Sequence, residues 1–264
     1  MLNLKKFESK KIFVLSTFGH SGIDWISSLL DNHNEILIIP SLSYFRKLNL
    51  IKREYKNYDS YNSEKKVNIF CNYLFEQSKK KSLRYKLQIK NRREFQNLVF
   101  KNLKMISHYK SFEEKLFFSL HLFFARLYKY DLNKIKVIIC HEHAPWNCKL
   151  YLKYFNAKSL VVIRDPRAAL AGSFRSFERT KVLDLHYRIE SAFSFLFHSI
   201  KNFNAHFKNR VYLIKNEKFN NNLSIEMKKL SKKLGVKYSK SLTKQTFLGK
   251  PWYGESAYKS KDDL

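Results

Sequence analysis

Ser16-Thr17-Phe18-Gly19-His20-Ser21-Gly22-Ile23-Asp24-Trp25 joins the apolar run Ile12-Phe13-Val14-Leu15 to a helix-like segment, Ile26-Ser27-Ser28-Leu29-Leu30. A buried strand, a glycine-bearing turn and a helix start, in that order, form a phosphate cradle. The free N–H groups of the first helical turn converge on the loop and carry the positive end of the dipole. Gly19 and Gly22 allow the close backbone approach an anion needs. The spacing is neither G-x-x-x-x-G-K-[ST] nor G-x-G-x-x-G. Asp24 also puts a carboxylate where an anion is expected to sit. Read alone, the loop is either a tight structural turn or an anion site built from backbone amides.

Four more short runs rich in Ile and Val follow the first, so that strands are expected over 11–16, 35–39, 136–140, 159–163 and 210–215. Nearly unbroken apolar character at that length is the mark of strands covered on both faces of a parallel sheet. Helical stretches at 24–32, 146–155, 166–177, 185–207 and 224–234 alternate with them. The pattern predicts an α/β, P-loop-like three-layer fold, a central mostly parallel sheet flanked by helices. The whole chain, 1–264, reads as a single domain. Residues 44–130 interrupt the alternation with Lys-, Tyr- and Phe-rich helical sequence, a helical insertion over the sheet and the expected acceptor-binding region.

Two later strands also end in reactive residues. Val161-Val162-Ile163-Arg164-Asp165-Pro166 delivers Arg164 at a strand's carboxyl end, where open α/β sheets place ligands, and Pro166 suits a first helical turn. Arg164 could fork onto a phosphate or pair with Asp165. Cys140-His141-Glu142-His143-Ala144-Pro145 follows another strand, and in extended chain His141 and His143 share a face while Glu142 takes the other. A histidine there can serve as general base or as a hydrogen-bonded structural group. A zinc set of Cys140, His141, His143 and Cys148 fits no standard spacing, so no metal is expected.

Charge and cysteine content bound the setting. The chain carries 51 Lys+Arg against 22 Asp+Glu, a formal charge of +29, which draws anionic partners; part of it reflects a general richness in Lys, Asn and Ile. Three cysteines make no disulfide framework, there is no signal-like apolar segment near Met1, and no run is long enough to span a membrane. A cytoplasmic protein is expected. The basic run between 79 and 93 reads as a solvated helix face, with an anionic membrane surface or acidic glycan as its sharper alternative. No nucleic-acid partner is expected, because the aromatics follow core-like spacing and no recognised binding motif appears.

The order of the motifs resembles the PAPS-dependent sulfotransferases, with the bacterial carbohydrate sulfotransferases as the expected branch. Gly19-His20-Ser21-Gly22-Ile23-Asp24-Trp25 lies on the family's P-K-S-G-T-T-W segment, Glu142-His143-Ala144-Pro145 on T-H-x-P, and Arg164-Asp165-Pro166 on R-[DN]-P. Tyr212 to Phe219 and Gly249-Lys250-Pro251-Trp252-Tyr253-Gly254 are similar to later family segments. The resemblance covers about 1–40 and 135–255 and leaves out the insertion. It implies transfer of a sulfuryl group from PAPS, by in-line displacement and without a metal, to a hydroxyl or amine of an acceptor such as a sugar or glycan.

By the same resemblance Gly19, Ser21, Gly22, Ile23 and Asp24 line the 5′-phosphosulfate, Trp25 stacks on adenine, and Arg164 with Ser173 or Lys250 clamps the 3′-phosphate. Gly249 belongs to the segment closing over the nucleotide, His143 is the base, and His20 takes the place of the family lysine. Ile23 and Asp24 replace two threonines. The family serine falls on Gly172, with Ser173 one residue on, about 100° around a helix. These departures leave a second reading, a non-catalytic nucleotide- or glycan-binding protein on the same fold. A kinase-like transferase is disfavoured by the missing Walker lysine.

Overall fold

The five apolar runs form one parallel sheet of β1 (Lys11–Thr17), β2 (Ile36–Ile38), β3 (Val137–Glu142), β4 (Lys158–Ile163) and β5 (Val211–Lys215), ordered β2-β3-β1-β4-β5. The computed structural model describes residues 4–17, 20–40, 42–79, 87–179 and 211–252, with 190, 193, 194, 197 and 201 besides. The expected helix over 185–207 lies almost entirely outside these residues.

Strand alternation divides the core in two. Phe13 and Leu15 of β1, with Val137 and Ile139 of β3, join Ile26, Leu29 and Leu30 of α2 (Ile23–Leu30) and Met227 and Leu230 of α10 (Leu223–Leu234). Ile12 and Val14, with Ile138, Cys140 and Phe7 of α1 (Leu4–Glu8), belong to the other layer. That layer is built from the interval read as an insertion. It holds α3 (Tyr44–Glu54), α4 (Ser63–Ser78), α5 (Arg92–Met105) and α6 (Phe112–Leu127), followed after β3 by α7 (Cys148–Phe155). Burial on both faces is why β1 to β4 read as continuous apolar runs; β5, at the edge of the sheet, leaves Leu213 exposed.

The aromatic excess has its place in this second layer. Phe117 stands 4.3 Å from Phe155, 5.3 Å from Phe118 and 5.5 Å from Tyr44, between ring centroids, and so joins α6, α3 and α7. Helix α6 starts with a reciprocal cap in which Glu114 N–H donates to Ser111 Oγ and Ser111 N–H donates to Glu114 Oε2. No described helix is long and apolar enough to cross a membrane. Cys71, Cys140 and Cys148 are free and buried.

Register brings the motif-bearing ends together. Ser16 on β1 lies beside Glu142 at the end of β3, and Thr17 lies beside Val162 near the end of β4. The chain leaving β1 turns toward β2, whereas the chain leaving β4 runs through α8 (Pro166–Arg179) to β5 on the other side. The carboxyl end of β1 is therefore a topological switch point, where a crevice opens in such sheets.

Candidate functional site

Gly22 is the N-cap of α2, with φ 88° and ψ 28°, and no side chain caps the helix start, so the first-turn amides face the loop. This left-handed conformation suits glycine, and a Cβ on Gly22 would collide with the side-chain amide of Asn216. Asn216 Nδ2 donates to the Ser21 carbonyl at 2.8 Å and is itself held by Asn220 Nδ2, which donates to Asn216 Oδ1. Next to it, Glu217 Oε1 accepts the Asp165 N–H at 2.7 Å. The turn from β5 into α9 (Asn216–Asn221) thus ties down the loops after β1 and β4 together. Gly19 lies outside the described residues.

His20 is exposed and sits where α8 passes the loop, because a Cβ on Gly172 would come 3.2 Å from the His20 Cβ. Gly172 therefore lets α8 approach. Ser173, one residue on, is buried, and its hydroxyl donates back to the Ala169 carbonyl at 3.1 Å. A phosphate needs donors, and this one is spent inside its helix. Arg164 is exposed at the end of β4. The pairing with Asp165 does not form, since that carboxylate is taken by Arg167: Nη2 reaches Oδ2 at 2.8 Å and Nε reaches Oδ1 at 3.1 Å. The same guanidinium holds the Asp165 carboxyl down at about 2.

The end of β3 holds the densest chemistry. His141, buried, and His143, one-fifth exposed, lie on the α2 face with ring centroids 4.5 Å apart. Asp24, the second residue of α2, meets both: its Oδ1 is 3.4 Å from His141 Nε2 and 3.6 Å from His143 Nε2. His141 Nδ1 lies 3.3 Å from Ser27 Oγ. Asp24 thus turns toward the two histidines, because its position on α2 is level with the end of β3.

Glu142 points to the opposite layer, fully buried. Its Oε1 accepts from Ala144 N–H at 3.1 Å and Asn147 Nδ2 at 3.5 Å, and its Oε2 from Arg46 N–H at 3.3 Å and Tyr151 Oη at 3.4 Å. Burial pushes its carboxyl up to about 7, against these donors. Asn49 Nδ2 on α3 donates to Asn147 Oδ1 at 3.0 Å, so α3 reaches the His143 loop through Glu142 and Asn147.

The C-terminal hairpin, β6 (Thr246–Phe247) and β7 (Lys250–Pro251), corrects the expected placement of two residues. Gly249 N–H donates to Asp31 Oδ2 at 2.8 Å, and Asp31 is the C-cap of α2. Gly249 and Lys250 therefore sit at the far end of α2, nine residues and roughly 13 Å along the axis from Gly22. The other end of the hairpin approaches the site instead. Phe247 and Trp252 close, with Asp24 and Ser27, around a space of about 10 Å³. The Trp252 indole N–H is buried and has no partner among the described residues. Tyr253 and Gly254 lie outside them.

Trp25 is half-buried against the α2-side core and keeps only part of its ring for a ligand. Cys140 and Cys148 are buried apart from the histidine cluster; among the described residues the group that could hold a metal ion is Asp24, His141 and His143. A larger concavity of about 380 Å³, between Lys6, Lys10, Glu35 and Lys136, lies at the amino ends of the strands, where no motif arrives, and Glu35 already pairs with Lys136 at 2.7 Å. The motif-bearing residues stand at the carboxyl edge instead.

No protein-family model matches the chain, and no curated protein does. Among solved structures, the sulfotransferase domain from the Synechococcus PCC 7002 olefin synthase is similar at TM-score 0.51 and 15% identity, over 88% of this chain and 75% of that one. The chain has the sulfotransferase fold. The sulfotransferase domain from the curacin biosynthetic pathway is also similar, at TM-score 0.49 and 15% identity, over 91% of this chain and 82% of that one. The likeness does not extend to the carbohydrate branch. The loop after β1, His143 and Arg164 all stand at the carboxyl edge of the sheet.

Proposed function

We propose that the protein is a sulfotransferase that uses PAPS as donor and a hydroxyl or amine as acceptor. The observation that carries this is the convergence of an uncapped α2 N-terminus, a buttressed glycine loop, exposed Arg164 and the Asp24–His143 pair at one switch point. The chain's own groups fit the donor. The α2 amides, with Ser21, Gly22 and Ile23, would hold its 5′ anion, and His20, when protonated, adds a cation there. Arg164, free of Asp165, would hold the 3′-phosphate, and the open part of Trp25 would lie on adenine. When bound, PAPS supplies an activated sulfuryl group.

His143 takes the acceptor proton as general base, on the ring nitrogen turned away from Asp24. Asp24, 3.6 Å from His143 Nε2, positions the ring and favours the imidazolium that forms. The α3 contacts to Glu142 and Asn147 set the loop that carries His143, and Phe247 and Trp252 exclude water from the Asp24 side. The acceptor would enter over the α3–α6 layer. A sugar is one candidate class; a cytoplasmic setting and an anionic surface for the basic segments fit the free cysteines and the charge.

The test is release of adenosine 3′,5′-bisphosphate from PAPS in the presence of sugars, phenols, aliphatic alcohols and amines. Turnover with at least one acceptor class, lost in His143→Ala while nucleotide still binds, is expected. Nucleotide binding with no release for any acceptor would favour the non-catalytic alternative.

A further inference from the structure

His141 and His143 alternate with Glu142, so both imidazoles reach the α2 face at the level of Asp24. One ligand atom from each of Asp24, His141 and His143 lies within 4.8 Å of the others, and the two histidine–carboxylate separations are 3.4 and 3.6 Å. Ligands bonded to a tetrahedral zinc at 2.0–2.2 Å stand about 3.3–3.6 Å apart. Two of the three edges therefore already have the length such an ion requires. The third has to close by at most about 1.5 Å, which a side-chain rotation of the part-exposed His143 supplies. Ser27 Oγ beside His141 Nδ1 is the kind of outer partner that fixes a ligand's tautomer and leaves Nε2 for the ion. Two imidazoles and one carboxylate suit zinc-class ions and disfavour magnesium and calcium.

We propose that Asp24, His141 and His143 bind one zinc-class divalent ion, with a fourth position left to water, and that the ion inhibits sulfuryl transfer. A neutral imidazole bound to an ion through one nitrogen carries its proton on the other, so His143 cannot hold the ion and take the acceptor's proton at once, and metal occupancy and base function exclude each other. This second half rests on the transferase reading above; the binding itself does not. On that reading the ion is an occupant of the base and takes no part in transfer.

Calorimetry with zinc, and visible spectroscopy with cobalt(II) as a tetrahedral reporter, would be run on the full chain, with magnesium as control. One equivalent of zinc should bind, more than tenfold more weakly in Asp24→Asn and in His143→Ala, with d–d bands for cobalt and no heat for magnesium. Absence of one-equivalent binding, or binding unchanged in both variants, overturns the site. Release of nucleotide from PAPS should fall as zinc fills the site and return with a chelator. Full turnover at saturating zinc overturns the inhibition. Variant-sensitive binding in a protein that transfers nothing would leave the site standing and remove the transferase reading.

Discussion

Asp24 is the residue on which the site turns. In the sequence it stands where a hydroxyl is expected beside an anion, and its charge argues against one. In the fold its carboxylate meets His141 and His143, which lie over a hundred residues away in the chain, so no local pattern could reveal its partner. Replacing it by Asn keeps shape and removes charge. Asp24→Asn should lower kcat by at least about tenfold, about 1.4 kcal/mol in barrier, with nucleotide affinity unchanged. Loss of nucleotide binding with unchanged kcat would return Asp24 to the donor loop. His143→Ala should cost about 10²–10⁴ in kcat, measured as nucleotide release, with binding nearly intact.

At the level of elements, the loops matter through what holds them. Gly22→Ala forces a Cβ into Asn216 and a side chain into left-handed backbone, so it should lose stability by about 1–2 kcal/mol or more in denaturant titration and weaken nucleotide binding with it. All five strands were legible as short apolar runs, four of them because they are buried on both faces, and so were α2, α7, α8 and α10, whereas the short α9 directly after β5 was not. The buttress was not legible. Asn216 and Glu217 look like ordinary helix-start residues, and only the β4–β5 register sets them beside the two loops. The C-terminal hairpin was half-legible: its Gly249 segment was noticed, but a tight turn at φ 75° serves to meet Asp31, and Trp252 is the part that reaches the site. In the helical layer, Phe117→Ala should cost about 3–5 kcal/mol of unfolding free energy, because the ring bridges three helices.

For the whole molecule, the buried Glu142 carboxyl gives a pH signature. Its folded value, about 7, lies above the ordinary 4.5, so the native state binds the proton more tightly than the unfolded chain does. Stability contributed by this group is then present at low pH and lost as pH rises from about 4.5 to about 7. Thermal unfolding of the wild type and Glu142→Gln across this range should show the wild type losing stability relative to the variant as pH increases. Parallel curves would contradict it. The charge of +29 adds a separate, salt-sensitive attraction for anions over the whole surface, so specific nucleotide binding has to be distinguished from it.

That distinction sets the decisive measurement. Calorimetric titration with adenosine 3′,5′-bisphosphate at physiological salt should show one tight site in the wild type and at least tenfold weaker binding in Arg164→Ala, with Arg167→Ala unchanged because that residue serves Asp165. No binding, or binding that Arg164→Ala leaves intact, would contradict a PAPS site at the switch point of the sheet.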